Sequence, residues 1–291
     1  MFATLALLLY LLFSTIDFSS SSYELINAAG PQGEGEADGV RALIEMGANV
    51  NFEASGGRTA LMNAARWGYS DVIKVLLEMG AATDVQDADG TTALHLAAYD
   101  GRIEAVKILL EAGANIDVQD KFLYTALILA SRPGHIEIVR ALLHHDADFT
   151  IADKFGNTAL LSAAEEGHIK VVEVLLEKGA DLNRQNHFGY TPLMKAASKG
   201  HTHVVKTLLT HEADYNIAAK DNNNVFSVAS LDVWELFYEL GFSKEEMVPK
   251  DVTRHGKMIE RRDETFSMLS EKLGGTPNSL DVDETLVESE L

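Results

Sequence analysis

TALHLAAYDGRIEAVKILLEAGA, residues 92–114, is one of five versions of the same text in this chain. The others are TALMNAARWGYSDVIKVLLEMGA at 59–81, TALILASRPGHIEIVRALLHHDA at 125–147, TALLSAAEEGHIKVVEVLLEKGA at 158–180 and TPLMKAASKGHTHVVKTLLTHEA at 191–213. Their opening residues, Thr59, Thr92, Thr125, Thr158 and Thr191, stand 33 apart each time (92 − 59, 125 − 92 and onward). A fixed period of this length marks a solenoid. One unit is too small to bury its own apolar face, so units must stack on their neighbours.

Each copy reads as two short helices. The Thr-(Ala/Pro)-Leu triplet opens the first, with the threonine hydroxyl placed to accept from an unpaired N–H. The small pairs Ala64/Ala65, Ala97/Ala98, Ala163/Ala164 and Ala196/Ala197 keep that helix thin, so neighbouring units can approach closely. Gly68, Gly101, Gly134, Gly167 and Gly200 end it, where a residue without Cβ can turn left-handed. The second helix carries apolar residues at i, i+3 and i+4, as in Val72, Val75 and Leu76 or Val171, Val174 and Leu175. Gly80, Gly113 and Gly179 terminate it.

The triplet, the alanine pair, the Val/Ile-Val-x-x-Leu-Leu run and the Gly-Ala-Asp/Asn ending together resemble the ankyrin repeat, over roughly residues 24–242. The resemblance implies an all-α repeat solenoid: helix–turn–helix units of 33 residues joined by β-hairpin-like loops. It also implies a protein that holds other proteins through the concave face formed by its first helices and through its loop tips.

Several units depart from the pattern. Leu43, Gly47, Ala48 and Asn51 are in phase with the next unit, but Ala28 and Ala29 fall three residues early. The surplus is assigned to a loop insertion at Gly30–Gly35. Asp146 and Glu212 occupy a glycine column, Leu123 replaces the loop glycine found at Gly57, Gly90, Gly156 and Gly189, and Pro133 interrupts the fourth unit. Residues 224–242 read as a contracted cap whose Phe226, Trp234, Phe237 and Tyr238 shield the end of the stack. The expected order is thus an apolar N-terminal segment (1–22), the array (23–242), a linker with an amphipathic helix carrying Ile259, Phe266, Leu269 and Leu273 (243–273), and an acidic disordered tail (274–291).

Phe2 to Phe13 is almost wholly apolar but shorter than the roughly 20 residues a spanning helix needs. Its length suits a signal-peptide core, yet no Lys or Arg precedes it and no clear Ala-x-Ala site follows. Three readings stay open: a leader or anchor, a helix capping the first unit, and an extension absent from the mature protein. The family resemblance implies a cytoplasmic protein. A leader would imply a secreted or membrane-linked effector, with membrane contact only through residues 2–16.

The formal charge of −20 disfavours nucleic acid and anionic lipid, and it suits a basic partner surface as well as plain solubility. The chain has no cysteine, which excludes disulfides and thiolate chemistry. No phosphate-cradling loop, nucleophile elbow or His-Glu-x-x-His pair occurs. His135, His168 and His201 share one repeat position, in the Gly-His turn with which ankyrin units tie loops together. The expectation is a non-enzymatic monomer with no catalytic residue, no cofactor and no metal.

What varies while the frame stays constant is the informative part. Near the loop tips lie Phe122, Phe155 and Phe188, with Tyr124 and Tyr190 just before the threonines; after the small pairs come Arg66/Trp67 and Tyr99/Asp100. Exposed aromatics with a few polar companions are the composition of interface hot spots. Stacking of the three phenylalanines across successive loops, as a stiffener, is the competing expectation.

Overall fold

The threonine period is realised as helix pairs in a computed structural model that describes residues 18–31, 35–247 and 265–272. The chain divides into two compact units, Met1–Lys154 and Phe155–Leu291. In the first, four helix pairs follow one another: α1 (Phe18–Ala28) and α2 (Ala37–Glu45), α3 (Ala60–Trp67) and α4 (Ser70–Glu78), α5 (Ala93–Tyr99) and α6 (Ile103–Glu111), α7 (Ala126–Ser131) and α8 (Ile136–His144). The second holds α9 (Ala159–Glu166) and α10 (Ile169–Glu177), α11 (Pro192–Lys199) and α12 (Thr202–Thr210), α13 (Val225–Val228) and α14 (Leu231–Glu239), the short α15 (Lys244–Met247), and α16 over residues 265–272.

Within each unit the helices form two layers. First helices pack on first helices (α1, α3, α5, α7; then α9, α11, α13) and second on second (α2, α4, α6, α8; then α10, α12, α14). The fold is an all-α repeat solenoid, with no strand among the described residues.

Each threonine caps its helix as the sequence predicts. Thr59, Thr92, Thr125, Thr158 and Thr191 accept from the N–H three residues on, at 3.3–3.4 Å. Such a cap is worth about 1 kcal/mol. Leu61, Leu94, Leu127, Leu160 and Leu193, which follow in every triplet, are fully buried. Truncating one of them would cost about 2–5 kcal/mol, so burial outweighs the cap. All the paired alanines are fully buried as well, which lets the first helices lie close together.

Backbone hydrogen bonds close the hairpin-like loops, the widest being Ala54 N–H to Arg58 O, Asp87 to Thr91, Asp120 to Tyr124, Asn186 to Tyr190 and Ala219 to Asn223. Of these, Ala54 with Arg58 forms an isolated antiparallel bridge.

Over residues 224–242, Phe226, Trp234, Phe237 and Tyr238 are buried, and Phe226, Phe237 and Phe242 meet edge to face. The amphipathic helix folds back here. In α16, Leu269 is fully buried, Phe266 meets Tyr238 at 5.4 Å and Lys272 pairs with Glu235. Its other expected apolar residues, Ile259 and Leu273, lie outside the described residues. So does the tail, and so does the apolar stretch from Phe2 to Phe13. Helix α1 starts at Phe18, so the first helix pair takes in Ser22, which is buried and accepts from Asn49 N–H at 3.0 Å. No helix among the described residues is long and apolar enough to cross a membrane.

Where the pattern breaks, the backbone shows the consequence. Leu123, Asp146 and Glu212 hold φ of 61°, 61° and 64°, the left-handed conformation of the glycines they replace. Asp tolerates that conformation better than Glu or Leu. Helix α7 ends at Ser131 because Pro133 has no N–H with which to continue it. Ser131 itself stands in an alanine position, is fully buried, and its hydroxyl has no hydrogen-bond partner.

Two stability predictions follow from these sites. Leu123→Gly and Glu212→Gly should each stabilise the fold by about 1 kcal/mol, and Asp146→Gly by less, read as urea midpoints. Ser131→Ala should stabilise by about 1–2 kcal/mol, since an unpaired buried hydroxyl is removed at constant backbone. A fall in midpoint for Ser131→Ala would show that the hydroxyl is satisfied in solution.

Candidate functional site

The expected site residues fall into two sets in the first unit and one in the second. Arg66 and Trp67 end α3, Tyr99 ends α5 and Asp100 caps it. The structure brings these four together: Arg66 Nε lies 3.4 Å from Asp100 Oδ2, and the Arg66 carbonyl accepts from Arg102 Nε at 3.0 Å. Trp67 and Tyr99 stay 43% and 55% exposed beside them. Phe122 and Tyr124 lie at the other end of the first helices, about 10 Å away along a seven-residue helix.

Between the two sets runs a row that the sequence reading missed: Asn63, Leu96 and Leu129, each half-buried in mid-helix. Asn63 precedes Arg66 by three residues and Trp67 by four, so helical spacing alone puts it on the same face. That spacing was the available signal. Asn63 is also used internally, donating through Nδ2 to Ile26 O at 3.0 Å.

The loop tips are held from below. The Asp120 carboxylate accepts from the N–H groups of Phe122 and Tyr124 at 2.8 and 2.9 Å, and Asp87 does the same for Asp89 and Thr91. Successive tips are tied by one backbone bond each, Ala88 N–H to Gly56 O, Lys121 to Asp89 and Lys154 to Phe122. Gln86 and Gln119 each bridge their own tip to the next carbonyl 33 residues on. Phe122 is therefore presented on a fastened backbone, with its ring 6.3 Å from Tyr124 and Lys154 Nζ 4.0 Å over its face. Burial pushes the Tyr124 phenol upward, the Asp153 carboxylate adds to this and the Arg132 guanidinium opposes it.

In the second unit, Phe155 and Phe188 stack at 6.4 Å with 28° between rings, yet both remain exposed. The stacking expectation therefore holds for this pair, without hiding it from solvent. Asn186 takes the place of the tip aspartate, accepting from Phe188 and Tyr190 N–H at 3.0 Å. Tyr190 donates to Asp221 Oδ2 at 2.8 Å, and Lys195, 3.0 Å from Glu165, lies over its ring. The Tyr190 phenol is pushed up by burial first and by this bond second.

Three histidines serve the scaffold. His135 and His201 donate from Nε2 to Tyr99 O and Glu165 O, at 3.1 and 2.9 Å, across 36 residues. Among the described residues no group of three or more His, Cys, Asp or Glu could hold a metal ion. His95 is fully buried between helix and tip: its Nδ1 accepts from Thr92 N–H at 3.1 Å and its Nε2 reaches Tyr124 O at 3.0 Å. A backbone N–H can only donate, so Nδ1 is unprotonated and the ring is the neutral Nε2–H tautomer. Burial lowers its pKa from the ordinary 6.5, against hydrogen bonding to Tyr124 that raises it.

The folded chain thus binds a proton at His95 less readily than the unfolded chain does. Stability from this group is fully present above about pH 6.5 and is lost as pH falls below that. The urea midpoint of the native chain should fall from pH 7.5 to 5.5 by more than that of His95→Gln, which starts lower. Equal pH dependence of the two would exclude His95 as the titrating group.

Comparison with known families agrees with this architecture. A family model described as ankyrin repeats (3 copies) matches residues 25–120 and 115–186, and one described as ankyrin repeats (many copies) matches 175–229. No curated protein matches the chain.

Proposed function

The chain belongs to the ankyrin-repeat family, and from that premise we propose that it is a non-enzymatic scaffold holding a protein partner through its first-helix faces and loop tips. Ankyrin repeats are protein–protein interaction modules, and proteins built from them are typically not enzymes. The finer reading assigns contact to Arg66, Trp67, Tyr99, Asp100, Phe122 and Tyr124 in the first unit, and to Phe155, Phe188 and Tyr190 in the second.

The observation that carries it is the exposure of Trp67, Tyr99, Phe122, Phe155 and Phe188 at repeat positions bordering a fully buried core. Large apolar side chains held in water on a fastened backbone are costly in solubility unless a partner covers them. Because Asp120 and Asn186 already hold the tip backbones, little ordering entropy is lost when a partner binds. The mechanism is rigid presentation of shape.

Replacing Phe122, Phe155 and Phe188 together by Ser tests this. Affinity capture with the full chain, followed by mass spectrometry, should recover partners that the triple variant loses at unchanged helical circular dichroism. Capture that is equal for both chains would move the interface off the tips. Loss of helical signal would assign the phenylalanines to stiffening instead.

A further inference from the structure

Within the first unit, α4, α6 and α8 each pack on the second helix before them, whereas α2 has none before it among the described residues. Arg41 pairs with Glu78 of α4, so that side of α2 faces onward along the array. Gly39, Ala42 and Met46 lie about 100–160° round the helix from Arg41, on the opposite side. All three are exposed, Met46 by 60%, and half-buried Leu43 borders them. A Cβ at Gly39 would meet no neighbouring atom within 4 Å.

The same repeat positions further on show what a preceding helix does. Val72, Ala105 and Ile138, in the place of Gly39, are buried. Leu76, Leu109 and Leu142, in the place of Leu43, are fully buried. Ala42 is exposed where Val75 is buried and where Ile108 and Ala141 are half-buried. Helix α2 thus carries, uncovered, the apolar stripe that later second helices bury. Its acids, Asp38 and Glu45, lie outside the stripe, and the small Gly39 and Ala42 leave space for large side chains against it.

The chain carries a matching occupant. Residues 2–13 read FATLALLLYLLF, and α1 starts at Phe18, so this text stands just ahead of the open stripe. The five peptide units from Phe13 to Phe18 reach up to about 17 Å, and adjacent helices pack about 8–10 Å apart. The segment is short of the roughly 20 residues that span a bilayer, and no Lys or Arg precedes it as in a leader. Tethered this closely, it acts at an effective concentration on the order of millimolar, which a second copy of the chain would have to match.

We propose that residues 2–13 pack along this stripe of α2 and close the open end of the first unit, in the place of a preceding second helix. End units of a repeat array need such a cover to stay soluble. In the second unit a stretch outside the repeats supplies one, as α16 meets α14 through Phe266 and Lys272. The apolar segment is then part of the folded scaffold, neither leader nor anchor.

The chain has no cysteine, so an introduced thiol reports on its own site. In the full chain, Ala42→Cys should react with a water-soluble maleimide about tenfold slower or more than Ala112→Cys, an exposed alanine at the end of α6. Adding Leu8→Asp and Leu9→Asp should bring the two rates together at unchanged circular dichroism. A second cysteine placed in turn at Leu5, Leu8, Leu9 and Leu12 should form an intramolecular disulfide with the Ala42→Cys thiol. Equal labelling of Ala42→Cys and Ala112→Cys, or protection that survives the Asp substitutions, overturns the proposal. A disulfide formed only between two chains would assign the stripe to a second copy. Sedimentation with phosphatidylcholine vesicles that leaves Ala42→Cys labelled at the Ala112→Cys rate would assign residues 2–13 to a membrane. A chain recovered without residues 2–13 would assign them to a leader.

Discussion

Close approach of first helix to first helix is the constraint on which everything else here depends. The paired alanines at 64/65, 97/98, 163/164 and 196/197 are fully buried, and a larger side chain at any of them would push adjacent layers apart. That spacing lets a single backbone hydrogen bond tie each tip to the next within a unit, and lets one histidine ring reach a carbonyl 36 residues away. Ser131 shows how narrow the requirement is. It fits the alanine position by size, but its hydroxyl is left without a partner.

A frame held this way leaves a small set of positions free to vary, and their direction is decided by helix geometry. In the first helices of the first unit the buried Leu and Ala positions face the stack, while Arg66, Trp67 and Tyr99 and the half-buried Asn63, Leu96 and Leu129 face outward. Trp67, Tyr99 and the half-buried Leu96 and Leu129 therefore line a common side in the first unit. At the tips, Asp120 and Asn186 spend their acceptors on the local backbone, so the aromatic rings beside them are displayed instead of folded away. In the first unit acids open the second helices α4, α6 and α8 and are missing from the first helices α3, α5 and α7.

Much of this was legible in the residues. The threonine period marked the helix starts, the glycine columns marked the turns, and the substitutions Leu123, Asp146 and Glu212 pointed to left-handed backbone that the structure bears out. The expected aromatic cap at Phe226, Trp234, Phe237 and Tyr238 is buried as read. Less legible was the grouping of the candidate site. Arg66/Trp67 and Phe122/Tyr124 look like one strip when repeats are aligned as text, yet a helix length separates them, and Asn63, Leu96 and Leu129 fill the interval.

The sequence by itself determined the fold class, the register of the stack and the positions at which side chains are free to differ. It could do so because a repeat imposes each requirement at a fixed spacing, so local text and tertiary contact coincide. Only the tertiary structure decided which neighbours those free side chains meet. Lys154 over Phe122, Arg66 on Asp100, the buried neutral His95 beneath Tyr124, and α16 folded onto α14 through Phe266 and Lys272 are all such cases. These contacts join residues of different repeats, or of no repeat, and their distances depend on how the layers pack, which no single period encodes.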